Sequence, residues 1–119
     1  MSTINQAMQE LIGCDGALCA MLVDSSSGMI LGQIGSGVDL EVAAAGNTEV
    51  VRSKLKTMRA LGLSDVIEDI LITLGKQYHI IRPMARKEGL FLYMVLDKSK
   101  SNLALARRKV QEVEKDLMV

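Results

Sequence analysis

The chain has 119 residues, 49% of them hydrophobic and 3% aromatic, and its 14 Lys and Arg balance 14 Asp and Glu. That size suits one domain, 1–119, with an aliphatic core in which eight methionines serve as adaptable filler. Zero net charge argues against nucleic-acid binding, whose footprint is a basic excess, and no apolar run approaches the roughly 20 residues of a membrane span.

In chain order, Thr3 to Ile12 reads as a short helix, because Ile4, Ala7, Met8, Leu11 and Ile12 share one face. Thr3 with Gln6 forms a capping-box pattern, and Gly13 is a stop signal. The opening M-S-T-I-N-Q-A-M-Q-E has no basic region followed by an apolar one, so a cytoplasmic location is expected. Ala17 to Val23 is a continuous apolar run, as in a strand covered on both faces. D-S-S-S-G then turns the chain, and Met29 to Ile34 returns as a second strand.

A long helix follows from Asp39, a good N-cap, to Leu61, with Gly62 as its stop. Val66 to Leu74, Gln77 to Met84 and Leu90 to Leu96 read as three strands joined at Gly75-Lys76 and at A-R-K-E-G. Pro83 cannot donate to a ladder, so the middle strand ends or bulges there. The last helix runs from near Ser99 to about Leu117, with Leu103, Ala106, Val110, Val113 and Leu117 in one stripe. The order α-β-β-α-β-β-β-α predicts an α+β fold, a five-stranded and mostly antiparallel sheet with helices on both faces.

The long helix carries more apolar surface than one packing face needs. Leu40, Ala44, Asn47, Val51, Leu55 and Met58 form the stripe expected against the sheet. Ala43, Gly46, Val50, Thr57 and Leu61 form a flank beside it, although a mid-helix glycine costs roughly 1 kcal/mol. Glu49, Arg52, Lys56 and Arg59 face outward. Small residues there either pack closely on the sheet or admit a second backbone. We favour the second, an identical helix of another subunit. The strand after this helix gives an independent reason: I-L-I-T-L is a long apolar edge with no proline or lysine, a hazard that pairing with its symmetry mate removes. The expected homodimer interface is therefore Ala43, Gly46, Val50 and Thr57 with Ile70, Ile72 and Leu74.

Catalytic patterns are weak. G-Q-I-G-S-G, Gly32 to Gly37, lacks the Lys-Ser/Thr pair of a phosphate loop and the spacing of a dinucleotide fingerprint. Cys14, Cys19 and the single His79 do not supply a zinc set, and the two thiols read as reduced and buried. Glu68 and Asp69, adjacent in a strand, point to opposite faces. Arg107, Arg108 and Lys109, followed by Glu112 and Glu114, read as a solvated, ion-paired helix face. No catalytic residue, cofactor or metal is expected.

The segments D-G-A-L-C-A-M-L-V-D-S-S-S-G-M-I-L-G (Asp15 to Gly32), the small-residue helix from Leu40 and D-I-L-I-T-L-G-K-Q-Y-H-I-I-R-P (Asp69 to Pro83) resemble the bacterial kind of roadblock/dynein light-chain domain, over essentially the whole chain. This resemblance implies a roadblock-like (profilin-like) sheet, homodimers joined through the third strand and second helix, and no active site. It also implies a small Ras-like GTPase as partner. One bacterial relative is a GTPase-activating regulator in gliding motility, and eukaryotic ones are light chains or scaffolds. Paired long helices would then form the partner surface, with Glu49, Arg52, Lys56 and Arg59 as contacts rather than catalysts. The competing expectations are a small-molecule sensor, for which Tyr78, His79 and Tyr93 are the polar aromatic candidates, or a purely structural dimerisation subunit.

Overall fold

The computed structural model describes residues 2–85 and 87–119; Met1 and Arg86, the latter in the expected A-R-K-E-G turn, lie outside them. The elements are α1 (Ile4–Ile12), β1 (Ala17–Asp24), β2 (Met29–Gly35), α2 (Leu40–Ala60), β3 (Ile70–Thr73), β4 (Gln77–Pro83), β5 (Leu90–Asp97) and α3 (Leu103–Asp116). All sheet pairings are antiparallel and the strand order is β2-β1-β5-β4-β3. The two continuous apolar runs, β1 and β5, are thus neighbours at the centre, where both faces are buried.

The helices divide between the faces. Ala7, Met8 and Leu11 of α1 join Ala106, Val110 and Val113 of α3 over Ala20, Leu22, Leu92, Met94 and Leu96. On the other face, Ala44 and Val51 of α2 pack on Cys19, Met21, Val23, Ile81, Phe91, Tyr93 and Val95. Cys14 packs in the first layer and Cys19 in the second, so the sheet separates the two thiols, and both are free. Burial pushes both thiols up from their ordinary pKa.

Local chemistry explains the helix ends. Thr3 and Gln6 close the expected capping box on α1. Asp39 caps α2 by accepting from the Val42 N–H. At the far end Gly62 has φ +70°, its N–H reaches the Arg59 carbonyl and the Leu63 N–H reaches Met58, a Schellman closure that needs a left-handed residue. Gly32 serves the packing of α1, since a Cβ there would lie 2.3 Å from Ile4 Cγ2.

Two boundaries differ from the sequence reading. Helix α3 begins at Leu103 rather than near Ser99, because Asn102 is the cap and Ser99 instead donates to the Asp97 carboxylate. Strand β3 begins at Ile70, so Val66 to Asp69 are not strand. Arg82 of β4 donates to the Glu68 carbonyl, and Arg107 of α3 holds the Asp69 carboxylate through two hydrogen bonds of 2.8 and 3.0 Å. Those contacts fix the connection to α3 and β4 instead of the ladder. Arg82 is itself paired with the buried Glu114 of α3, which also accepts from the Ala85 N–H.

Candidate interaction surface

The backbone of α2 runs closest to β1 and β2, and its side chains Ala44 and Val51 reach on to Ile81 of β4 and to Phe91, Tyr93 and Val95 of β5. The same sheet face continues over β4 and β3, where Ile70, Ile72, Gln77 and His79 are only half-buried. The helix stripe matches expectation: Ala44, Val51 and Met58 are buried, with Leu40, Asn47 and Leu55 partly so. Thr48 is also buried, its hydroxyl donating to the Ala44 carbonyl at 2.7 Å, and the apolar spacing missed it.

The flank residues sit beside this stripe. Ala43 is half-buried, and Gly46, Val50, Thr57 and Leu61 are exposed, Leu61 at 65%. A Cβ at Gly46 would meet nothing within 4 Å, so packing within the chain does not require the glycine. The Thr57 hydroxyl is spent on the Ser53 carbonyl. Beyond the flank a recess of about 620 Å³ separates α2 from the connection to β3, lined by Val50, Lys54, Met58, Leu63, Val66 and Ile70 among others.

Strand β3 is an edge, as expected, and Ile70, Leu71 and Ile72 are half-buried while Thr73 and Leu74 are exposed. Leu74 lies just beyond the strand, where its N–H bonds the Gln77 carbonyl and closes the turn. The other edge, β2, pairs irregularly with β1: the register shifts between Leu22 and Val23, leaving Leu31 as the extra residue. A bulge of that kind blunts an edge. No shift interrupts the pairing of β3 with β4.

All four outward residues, Glu49, Arg52, Lys56 and Arg59, are exposed. Arg52 is not free: its Nη2 donates to the Ser26 carbonyl, tying α2 to the β1–β2 turn, and it lies close enough to Asp24 to help hold that carboxyl low, behind the larger effect of hydrogen bonds from Ser26.

Between α2 and the sheet runs a chain of polar groups that the strand pattern concealed. His79 Nε2 lies 2.9 Å from Gln77 Oε1, and His79 Nδ1 lies 2.9 Å from the Tyr93 hydroxyl. The two rings meet edge to face at 5.6 Å. Asn47 of α2 hydrogen-bonds the same hydroxyl. One arrangement satisfies every group: Asn47 donates to Tyr93, Tyr93 to Nδ1, and Nε2–H to Gln77. Burial holds His79 below its ordinary pKa and pushes Tyr93 up to about 12. Two of the three aromatic candidates for a ligand site therefore spend their hydrogen bonds on the protein, and Tyr78 lies under Lys98. Among the described residues no group of three or more His, Cys, Asp and Glu could hold a metal ion, and no helix is long and apolar enough to cross a membrane.

This architecture, an α-β-β-α-β-β-β-α chain around one antiparallel sheet, is the roadblock/LC7 fold, and solved structures establish it. MglB from Myxococcus xanthus superposes with a TM-score of 0.82 at 17% identity, covering 94% of this chain and 89% of that one. The gliding protein MglB from Thermus thermophilus gives 0.81 at 14% identity, over 94% of this chain and 83% of that one. A roadblock/LC7 domain from Streptomyces avermitilis gives 0.81 at 14% identity, over 96% and 93%. No protein-family model matches the sequence, and no curated protein matches it.

Proposed function

We propose that residues 1–119 form a single roadblock-like unit that works in the cytoplasm as a homodimer, a non-catalytic regulator or scaffold for a small Ras-like GTPase. The observation that carries the dimer is the half-covered sheet. Helix α2 packs over β1, β2 and the buried Ile81, Phe91, Tyr93 and Val95, but toward the β3 side of the same face Ile70, Ile72 and His79 stay part-exposed beside an unbulged edge. A second copy related by a two-fold axis supplies both missing parts, an α2 to complete the cover and a β3 to pair with the edge. Ala43, Gly46, Val50 and Thr57 then face their counterparts above Ile70, Ile72 and Leu74. The open space at Gly46 is where the neighbouring helix approaches.

The partner reading rests on the roadblock resemblance of the sequence and on the fold shared with the MglB structures. Paired α2 helices present two copies of Glu49, Arg52, Lys56 and Arg59 on one face. A GTPase has no two-fold axis, so one GTPase across that face gives two chains to one partner. Stimulated GTP hydrolysis is one form this role takes; none of the four residues is assigned to chemistry.

The test uses Lys56→Glu with Arg59→Glu, because Arg52 also anchors the β1–β2 turn. Binding is measured to Ras-like GTPases of the same organism, loaded with a GTP analogue, alongside the mass of the variant in solution. The expected result is binding weakened about tenfold with dimer mass unchanged, which corresponds to about 1.4 kcal/mol. A monomeric parent chain at high micromolar concentration overturns the dimer, and binding indifferent to the double substitution overturns the surface.

A further inference from the structure

Position and hydrogen bonding single out His79, the one histidine of the chain. It pairs with Ile72 of β3 and with Val95 of β5, so its side chain shares the α2 face of the sheet, one strand in from the edge. It is half-buried in the isolated chain and lies on the part of the sheet that the second copy would cover. Through Tyr93 it reaches Asn47, and so the middle of α2.

We propose that His79 makes the dimer acid-sensitive: a proton from solvent taken by Nδ1 displaces the Tyr93 donor and leaves an imidazolium beneath the paired helices, so the dimer loosens as pH falls below about 6.5. This rests on the homodimer reading above. The step is a simple protonation. The Nδ1 lone pair that now accepts from Tyr93 becomes an N–H bond, and the Tyr93 hydroxyl changes from donor to acceptor at the ring. Asn47 already donates to that oxygen, so two donors then converge on Tyr93 and its own proton has lost its acceptor. Only turning the Asn47 amide restores the chain, and Asn47 is packed in the helix stripe.

Among the described residues, no acidic group beside the ring compensates a positive charge. The surrounding elements present Ile72 from β3, Gln77 and Ile81 from β4, Tyr93 and Val95 from β5, and Asn47 from α2. The titratable neighbour is Tyr93, with the Cys19 thiol of β1 beyond it, and both are neutral in this range because burial raises their pKa. Asp97, at the end of β5, has its carboxylate held by Ser99, and Lys54 lines the recess on the far side of the flank. Desolvation is the cause that depresses the His79 pKa in the single chain, and burial by a second copy adds to it.

The sign follows from linkage. A group protonated more readily in the separated chain than in the dimer pulls the equilibrium toward separation wherever it titrates. The dimer dissociation constant is therefore flat above about pH 7.5 and rises as pH drops toward 5.5. With one ring per subunit, two protons are taken up per dimer separated, and because burial already lowers the His79 pKa in the separated chain the expected weakening across that interval is severalfold, steepening at lower pH. Sedimentation equilibrium at constant ionic strength reads it, and His79→Gln, which cannot titrate, is expected to lose the slope whatever its affinity at pH 7.5. Nitrogen-resolved NMR of the single histidine checks the geometry without any substitution: the neutral ring is expected to carry its proton on Nε2. A dissociation constant unchanged from pH 7.5 to 5.5, an equal slope in His79→Gln, or a proton on Nδ1 overturns the proposal while leaving the dimer standing. A chain already monomeric at pH 7.5 overturns both, and shows it before any titration.

Discussion

Gly46 lies on the exposed flank of α2, and what it does there is decided by which molecule lies next to it. In the single chain a side chain would extend into open space. Gly46→Ala is then expected to stabilise the isolated fold by up to about 1 kcal/mol, the ordinary helix-propensity difference. In the proposed dimer the same space would be occupied, so Gly46→Leu is expected to raise the dissociation constant strongly while stabilising the monomer against urea by up to about 1 kcal/mol, as Ala does. Val50→Asp tests the same flank differently, placing a charge in a dry contact. Equal dimerisation by both variants would show that the flank faces water. Two other side chains separate local from global consequences. Glu114 is buried and neutralises Arg82, so Glu114→Ala is expected to cost about 3 kcal/mol in denaturant unfolding, since breaking a buried pair strands its partner. His79 contributes to the stability of the chain by itself: the unfolded ring titrates near 6.5 and the folded one lower, so stability is full above that value and falls as pH drops below it.

At the scale of elements, the segment before β3 shows where local pattern stops being informative. V-I-E-D-I-L-I-T-L has the composition of one long strand, yet only Ile70–Thr73 pairs. The Glu68 carbonyl belongs to Arg82 and the Asp69 carboxylate to Arg107, 14 and 38 residues away. No local window holds that information. Arg107→Ala leaves the Asp69 side chain, only 9% exposed, without its two hydrogen bonds, so it is expected to cost about 1–3 kcal/mol in denaturant unfolding and to speed hydrogen exchange of the Ile70–Thr73 amides severalfold. Unchanged exchange would mean that β4 alone sets the edge. The element order, the caps at Thr3 and Asp39, the end of β4 at Pro83 and the edge position of β3 were legible, because each depends on neighbours along the chain. The interaction surface was legible as a face of α2 and no further. The tie from Arg52 to Ser26 and the chain from Gln77 to Asn47 join elements that only the folded sheet brings together.

For the whole molecule, the division of helices sets what each side can offer. One face is sealed by α1 and α3 packing together over the sheet, and the other carries α2 alone, with Ile70, Ile72 and His79 part-exposed on its β3 side. In the proposed two-fold assembly that second face would become a platform with mixed charge, Glu49 among Arg52, Lys56 and Arg59. Partner association is therefore expected to slow only modestly between about 50 and 300 mM salt, because opposite signs cancel much of the long-range field. A steep salt dependence would point to a strongly charged patch elsewhere as the docking site.

The two ends of the described chain also meet. The Ser2 N–H bonds the Asp116 carbonyl at 2.6 Å and the Met118 N–H bonds the Ser2 carbonyl at 2.8 Å, a single parallel bridge beside α1 and α3. The backbone is thus nearly a ring, and where the ring is cut is a separate matter from how it folds. Joining the two ends through a linker of about four residues and reopening the chain between Lys87 and Glu88, both exposed, gives a circular permutant that keeps every strand pairing. Its melting temperature is expected within a few degrees of the parent. Its new ends would emerge from the β4–β5 turn, leaving the α2 flank and the β3 edge as they were.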